Sequence, residues 1–275
     1  MQPNTSTFES KSGLKIFTRT WLPVENARGV IVIVHGLNSH SGYYQWVAEQ
    51  FTVVNYAVYA LDLEGRGNSE GERFYVQSIY DYVNEVDQLV DIAKAAHQNL
   101  PVFMLGHSAG GVIACLYSLE HQEKINGLIC ESFAYQVPAP DFALTVLKGL
   151  SHIAPHLHTI KLKNEDFSRN PEAVEVMNND TLIANESQPS KTMEQLVIAD
   201  ERLKKEFSLI KLPVLILHGT KDKATKHSGS EFFYENAGAS DKTLKLYEGH
   251  YHDLLNDVDK EKVMADVQKW VVERT

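Results

Sequence analysis

Short apolar runs, rich in β-branched residues and bounded by turn residues, recur along the chain and predict the strands of a buried sheet. These runs are apolar at consecutive positions, as the strands of a parallel sheet are when both faces are covered. Five runs have this character, at 29–34, 57–61, 102–105, 128–130 and 214–217. A later run, 243–247, alternates more, and residues 14–21 alternate as an antiparallel edge strand does.

Amphipathic stretches lie between these runs and predict helices. Residues 79–97 carry apolar side chains at helical spacing, and further helices are predicted from Ser108 as far as Leu119 and over 258–272. Strands that alternate with helices indicate parallel βαβ units. The sequence therefore predicts the α/β class, with a mostly parallel central sheet flanked by helices.

Residues 133–207, here called the inserted segment, interrupt this alternation. They contain no convincing buried strand, and their pattern predicts helices over 141–153 and 192–206. About 70 residues exceed the ordinary length of a loop in a compact domain. We therefore expect a core formed by residues 1–132 and 208–275 and a helical cap, or lid, formed by the inserted segment.

Composition narrows the function classes. The chain has 275 residues, with 26 basic and 36 acidic side chains and a net charge of −10, and it shows no basic stripe. Nucleic-acid binding, which needs clustered Lys and Arg, is not expected. The polar start has no signal core, and no apolar run approaches the ~20 residues that cross a bilayer. These features predict a cytoplasmic protein, and Cys115 and Cys130 are expected to be small buried hydrophobic residues.

The segment Gly106-His107-Ser108-Ala109-Gly110 fits the pattern G-x-S-x-G. The bare pattern is weak evidence, but here a predicted strand enters it and a predicted helix leaves it. A tight strand-to-helix turn of this kind needs small neighbours and presents the serine hydroxyl above the sheet. Ser108 is therefore the candidate nucleophile.

A serine nucleophile needs a base that takes its proton and an acid that orients the base. Asp222 follows the strand at 214–217, and His250 and His252 both follow the strand at 243–247. The order serine, acid, histidine is the one that this turn motif predicts. The spacing alone does not choose between the two histidines.

Two backbone amides are candidates for stabilising the oxyanion of the tetrahedral intermediate. One belongs to Ala109, the residue after the nucleophile, and the other to Leu37, in the loop that follows the strand at 29–34. That loop begins His35-Gly36, as loops that form an oxyanion hole do.

Three other patterns predict no cofactor or metal. His152, His156 and His158 lie close in sequence, but Pro155 interrupts the helix there and no acidic ligand is near in sequence. The Gly-rich segment 65–69 lacks the Lys-Ser/Thr ending of a phosphate loop and is interpreted as a turn. A stripe of apolar residues is compatible with a lipid-facing lid and equally with packing on the core: Phe142, Leu144, Val146, Leu147, Leu150 and Ile153.

Four segments of the chain resemble the monoacylglycerol lipase group of the α/β-hydrolase superfamily. They are His35-Gly36-Leu37-Asn38-Ser39-His40-Ser41-Gly42-Tyr43-Tyr44, residues 65–73, residues 106–111 and residues 241–249. The resemblance extends over essentially the whole chain. It implies Ser108, Asp222 and His252 as the catalytic triad, with Leu37 and Ala109 as oxyanion donors. It also implies that the inserted segment is a cap over an acyl-chain pocket, with contact to membranes in mammalian members.

The resemblance departs at three positions that hold the glycerol headgroup in mammalian members. Those members have glutamate, arginine and a second histidine where this chain has Ser39, Tyr43 and Leu255. We therefore predict a hydrolase of lipid-type carboxylic esters, with monoacylglycerols, lysophospholipids and small aryl esters all open. A short-chain carboxylesterase, a peptidase or lactonase on the same fold, and a non-catalytic binder of apolar ligands are the alternatives. The oligomeric state is not predicted.

Overall fold

The computed structural model describes residues 1–136 and 149–275, and its main element is an eight-stranded sheet. The strands are β1 (Asn4–Glu9), β2 (Lys15–Trp21), β3 (Gly29–Val34), β4 (Tyr56–Leu61), β5 (Val102–His107), β6 (Gly127–Glu131), β9 (Val214–Gly219) and β10 (Lys242–Tyr247). Their order is β1-β2-β4-β3-β5-β6-β9-β10. The pairs β1–β2 and β2–β4 are antiparallel, and all later pairs are parallel.

Helices cover both faces of the sheet. The α-helices whose full length lies within the described residues are α1 (Gln45–Val53), α2 (Ile79–Ala96), α3 (Ala109–His121), α4 (Pro171–Asn179), α5 (Ser190–Glu206), α6 (His227–Asn236) and α7 (Lys260–Val272). One face packs against α2, α3, α5 and α6, and the other packs against α1 and α7. Every residue of β3, β4, β5, β6 and β9 is buried, which explains why these strands are apolar at consecutive positions.

The edge of the sheet differs from the prediction. The run at 14–21 was expected to be an edge strand, but β2 lies between β1 and β4, and β1 is the edge. The side chains of β1 are largely exposed, so this strand has no apolar pattern. It is a strand because its backbone pairs with β2 from Asn4↔Thr20 to Glu9↔Lys15.

The inserted segment contributes no strand to the main sheet within its described residues. It contains α4, α5 and a separate small antiparallel pair, β7 (His158–Ile160) with β8 (Gln188–Pro189). The helix predicted over 141–153 is observed at 149–153, and residues 141–148 lie outside the described residues. Of the predicted apolar stripe, Phe142, Leu144, Val146 and Leu147 lie outside them too, whereas Ile153 is 86% exposed. The division into core and cap remains a prediction.

The parallel strands bring the candidate residues to one edge of the sheet. Leu37 follows β3, Ser108 follows β5, Asp222 follows β9 and His252 follows β10. Because parallel strands share a direction, their carboxyl ends meet at the same edge, where ligands of open α/β sheets bind. Among the described helices, none has the length and apolar content to cross a bilayer.

Candidate active site

Ser108 occupies a tight turn between β5 and α3. Its backbone has φ 55° and ψ −121°, a conformation that non-glycine residues rarely adopt. The surrounding backbone holds it there, because the Ser108 N–H donates to the Glu131 carbonyl at 2.9 Å and the Ser108 carbonyl accepts the Gly111 N–H at 2.9 Å. Such local strain is typical of functional positions.

The glycines that flank Ser108 are required by close backbone approaches. A Cβ at Gly110 would lie 2.1 Å from the carbonyl oxygen of Val34, and one at Gly106 would lie 2.5 Å from the carbonyl oxygen of Gly110. A Cβ at Gly36 would lie 2.8 Å from the Ser108 Cβ. The loop that begins at His35 therefore packs directly against the nucleophile turn.

Asp222 and His252 form a buried hydrogen-bonded pair. The Nδ1 atom of His252 lies 2.7 Å from Oδ2 of Asp222. The other carboxylate oxygen of Asp222 accepts the N–H groups of Ala224 and Thr225, at 2.8 and 2.9 Å. Burial alone would raise the pKa of Asp222, but the imidazoles of His252 and His218 lower it well below its usual range. Asp222 is therefore ionised throughout the neutral range.

His218 is a second imidazole on the same carboxylate, and sequence reasoning did not identify it. Its Nε2 atom lies 3.0 Å from Asp222 Oδ2, and its Nδ1 atom lies 2.7 Å from the Ser230 hydroxyl. Burial lowers the pKa of His218, so its imidazole is neutral. The available signal was its position at the end of β9, directly before the loop that carries Asp222.

His252 has one ring nitrogen left for chemistry. Its Nε2 atom is buried and makes no hydrogen bond within the described part of the chain, Ser108 included. The ring is held by an edge-on contact with Phe167, at 5.0 Å between centroids, and by His107 at 4.9 Å. Catalytic hydrogen bonds are often long or poorly aligned without substrate and tighten in the complex.

His250, the alternative histidine, is placed differently. Its ring packs on Tyr247 at 5.6 Å between centroids, and its Nδ1 atom lies 3.2 Å from the Glu248 carbonyl oxygen. The structure thus brings Asp222 to His252 and not to His250.

The Leu37 amide belongs to a peptide whose carbonyl is fixed by His35. The Leu63 N–H donates to His35 Nε2 at 3.0 Å, so the ring proton is on Nδ1, which donates to the Gly36 carbonyl at 2.7 Å. Burial lowers the pKa of His35 to about 4, which keeps this tautomer neutral. Within the described residues the amides of Leu37 and Ala109 donate no hydrogen bond, so both are available as donors.

A buried acidic cluster lies behind His252 and has the composition of a metal site. The candidate ligand atoms of His107, Glu131 and Asp253 lie within 4.8 Å of one another. Burial and the Asp253 charge raise the pKa of Glu131 well above its usual range, and burial raises the pKa of Asp253 to about 6. Protonation of Glu131 reduces the repulsion between the two carboxyl groups.

The three histidines near residue 155 do not converge on a common point. His156 Nδ1 lies 2.8 Å from Glu72, His158 Nδ1 lies 2.7 Å from the Ser187 hydroxyl, and His152 Nε2 lies 3.7 Å from Glu194. The neighbouring sequence contains no acidic partner for these histidines. Folding brings Glu72 to His156 and Glu194 to His152 from distant parts of the chain. These contacts do not form a metal site.

Ser39, Tyr43 and Leu255 stand where mammalian members have the residues that hold the glycerol headgroup. In this structure all three contact other residues of the protein. The Tyr43 hydroxyl donates to Asp180 at 2.7 Å, and His40 Nε2 lies 2.8 Å from the same carboxylate oxygen. The buried Leu255 donates its N–H to Glu131 at 3.0 Å, and Ser39 is buried beside Tyr44.

A small apolar cavity lies beside the oxyanion loop, lined by Leu37, Ala109, Leu63, Ile79 and Ile113 among others.

The sheet order, the serine turn and the buried acid–histidine pair are the features of an α/β-hydrolase. Residues 25–259 match the sequence model of a family described as "serine aminopeptidase, S33". The chain is 31% identical to a monoacylglycerol lipase of Mycolicibacterium smegmatis, covering 96% of this chain and 95% of the relative. It is 33% identical to human monoglyceride lipase, covering 96% of this chain and 88% of the relative.

The comparison with solved structures also finds similarity to monoacylglycerol lipases. The crystal structure of the monoacylglycerol lipase of Paleococcus ferrophilus is similar with a TM-score of 0.84 and 29% identity, and the match covers all of both chains. A soluble variant of monoglyceride lipase from Saccharomyces cerevisiae matches with a TM-score of 0.90 over 100% of this chain and 96% of that one, and its 21% identity supports the fold alone. The chain belongs to the serine hydrolase family whose model matches residues 25–259, in the group of the monoacylglycerol lipases. The predicted α/β-hydrolase fold is confirmed, and the protein is an ester-hydrolysing enzyme.

Proposed function

We propose that the protein hydrolyses lipid-type carboxylic esters through an acyl-enzyme on Ser108, with His252 as base and Asp222 as the acid that orients it. The observation that carries this proposal is the buried 2.7 Å contact between Asp222 and His252 beside the strained turn of Ser108. The free Nε2 atom of His252 supports it, since a base needs an unoccupied nitrogen.

Acylation begins when the Ser108 hydroxyl oxygen attacks the ester carbonyl carbon. The hydroxyl proton moves to His252 Nε2, and the carbonyl electron pair moves onto oxygen, which the amides of Leu37 and Ala109 stabilise. The intermediate collapses, the carbon–oxygen bond to the alcohol breaks, and the leaving alcohol takes the proton from His252. Water then attacks the acyl-enzyme by the same route and releases the acid.

Monoacylglycerols are the proposed substrate class, with lysophospholipids next. The relatives named monoacylglycerol lipase, at 31% identity, and monoglyceride lipase, at 33% identity, support this choice. Substrates of the kind that these names state carry an acyl chain. We further propose that the inserted segment forms the cap over that chain and contacts a membrane surface.

The headgroup is proposed to be held differently from that of mammalian relatives. Tyr43 and His40 already share Asp180, so neither offers a free charged group to glycerol. Leu255 is buried and offers no side-chain donor. We therefore expect weak discrimination between glycerol and other small alcohols as leaving groups.

The variant Ser108→Ala tests the mechanism. It should abolish ester turnover and covalent labelling by a fluorophosphonate probe, while its thermal unfolding stays close to that of the wild type. Ester hydrolysis at the wild-type rate in Ser108→Ala would refute the proposal.

A substrate panel tests the class. Turnover should be measured on p-nitrophenyl esters of graded chain length, monoacylglycerols, lysophosphatidylcholine and aminoacyl p-nitroanilides. The proposal expects the highest kcat/KM on the acyl esters. Preference for the aminoacyl amides would instead favour a peptidase, which the description of the matched family also names.

A further inference from the structure

Asn38, the residue after the proposed donor Leu37, is held by the inserted segment. Its N–H donates to Oε1 of Glu186 at 2.9 Å, and its side-chain amide donates to Asn164 at 3.0 Å. Asn38 has a φ of 49°, in the left-handed region, so these contacts maintain an uncommon conformation. Both acceptors belong to the inserted segment, far from Asn38 in sequence.

Glu186 is itself fixed by a buried charge pair. The oxygen that accepts the Asn38 amide also accepts Arg66 Nη1 at 2.5 Å and Gln188 Nε2 at 2.7 Å. The second nitrogen of the Arg66 guanidinium donates to Gln188 Oε1 at 2.9 Å. The side chains of Arg66 and Glu186 are each 1% exposed. Two opposite charges this deeply buried are stable only together, because removing one leaves the other uncompensated.

The Leu37 residue is therefore fixed from both sides. On one side His35 of the core holds the Gly36 carbonyl, which belongs to the same peptide group as the Leu37 N–H. On the other side Glu186 holds the Asn38 N–H. Arg66, which comes from the turn at residues 65–69, fastens the Glu186 carboxylate to the core.

We propose that Glu186 is a positioning residue for the oxyanion hole: its carboxylate oxygen accepts the Asn38 N–H and so places the Leu37 N–H. This inference rests on the proposed function, since it assigns Leu37 the role of oxyanion donor. Glu186 does not touch the reacting atoms. It acts through the backbone of the loop, and its loss lowers transition-state stabilisation without changing substrate binding.

Two double variants separate this role from the charge pair. Both contain Arg66→Met, which removes the buried cation, and they differ only at position 186. Glu186→Gln keeps an oxygen that accepts the Asn38 N–H, whereas Glu186→Leu is similar in size and has no acceptor. Replacing a buried ion pair by groups of similar volume is often tolerated, so both variants are expected to fold.

The two variants are compared by kcat, by KM on the same ester and by affinity for an alkyl trifluoromethyl ketone. The Ser108 oxygen adds to the carbonyl carbon of this ketone. The carbonyl oxygen becomes an oxyanion and occupies the oxyanion hole. The Arg66→Met/Glu186→Leu variant should lose about 10- to 100-fold in both kcat and ketone affinity relative to Arg66→Met/Glu186→Gln, with KM unchanged between them. Complete loss of one oxyanion donor costs about 10²- to 10³-fold in kcat, and a misplaced donor costs less.

Glu72→Gln is the matched control. Glu72 also joins the inserted segment to the core, through His156 at 2.8 Å, but this contact is exposed and does not reach the loop. It should leave kcat and ketone affinity unchanged. Asn164→Ala removes the second contact to Asn38, together with an exposed hydrogen bond from Asn164 to Asn178. It should lower both quantities by about threefold and serves if the double variants do not fold.

Equal kcat and ketone affinity in the two double variants would overturn the inference, and so would an unaltered Asn164→Ala if those variants do not fold. Turnover that survives in Ser108→Ala would instead overturn the proposed function. The two failures are therefore distinguishable, because the first leaves Ser108 essential and the second does not.

Discussion

The carboxylate of Asp222 and the imidazole of His252 lie 2.7 Å apart between Oδ2 and Nδ1, and neither side chain is more than 1% exposed. The contact joins loops that follow adjacent parallel strands, β9 and β10. A carboxylate in this position fixes the ring orientation and keeps the proton on Nδ1, which leaves Nε2 as the basic nitrogen. The ionised state of Asp222 is secured by two imidazoles and two backbone amides.

Asp222→Asn should lower kcat on an acyl ester by about 10³- to 10⁴-fold, because an amide at this position stabilises the wrong tautomer of the histidine. Steady-state hydrolysis at neutral pH, with protein folding checked by thermal unfolding, measures the effect. His250→Gln is the control from the same loop and should stay within a few-fold of the wild type. A loss of activity in His250→Gln as large as in Asp222→Asn would contradict this assignment.

Glu131 links the nucleophile turn to the histidine loop, because its backbone carbonyl accepts the Ser108 N–H and its side chain accepts the Leu255 N–H. Glu131→Leu leaves that amide without an acceptor, at a cost of about 1–3 kcal/mol in unfolding free energy. It should also lower kcat by about tenfold. Burial raises the pKa of Glu131, so the acid is neutral and Glu131→Gln should behave like the wild type. Urea unfolding and ester kinetics on both variants measure these effects. Equal losses of stability and kcat in the Gln and Leu variants would contradict the assignment of Glu131 as a neutral acceptor.

The buried strands could be predicted because both of their faces are covered, which makes the strands from β3 to β9 of the main sheet visible as apolar runs. The G-x-S-x-G turn was equally visible, since its glycines are imposed by local backbone contacts. β1 could not be predicted, because its exposed side chains carry no pattern and only pairing with β2 defines it. The helix α1 was missed as well.

The polar contacts around the site could not be predicted for a different reason. Glu186 and Arg66 are 120 residues apart in sequence, and nothing local indicates that one carboxylate will meet that guanidinium and the Asn38 amide. His218 contacts Asp222 only because the loop after β9 turns back on its own strand. Such contacts depend on the packing of distant segments, which periodicity and motif spacing do not encode.

Gly110→Ala should destabilise the protein strongly, although alanine favours helices by about 1 kcal/mol relative to glycine. The added Cβ would lie 2.1 Å from the Val34 carbonyl oxygen, a backbone atom that cannot move aside. We expect a loss of about 3 kcal/mol in the free energy of unfolding, measured by urea denaturation. Gly111→Ala is the control, because its Cβ would meet its nearest neighbours at 3.3 Å, and it should change stability by no more than about 1 kcal/mol. Similar stability of the two variants would show that the turn can relax.

Asp253, next to His252 in the chain, should make stability depend on pH in the weakly acidic range. Burial raises its folded pKa from 3.8 to about 6, so the folded state binds this proton more tightly than the unfolded state does. The contribution to stability is therefore present below the unfolded pKa and is lost as the pH rises through about 6. Asp253→Asn cannot bind this proton, so its free energy of unfolding does not include this loss. The difference in unfolding free energy, variant minus wild type, should rise by about 2 kcal/mol between pH 4.5 and pH 7.5. Urea unfolding of both proteins at the two pH values measures the difference, and a difference that does not change with pH would show that Asp253 is ionised at both.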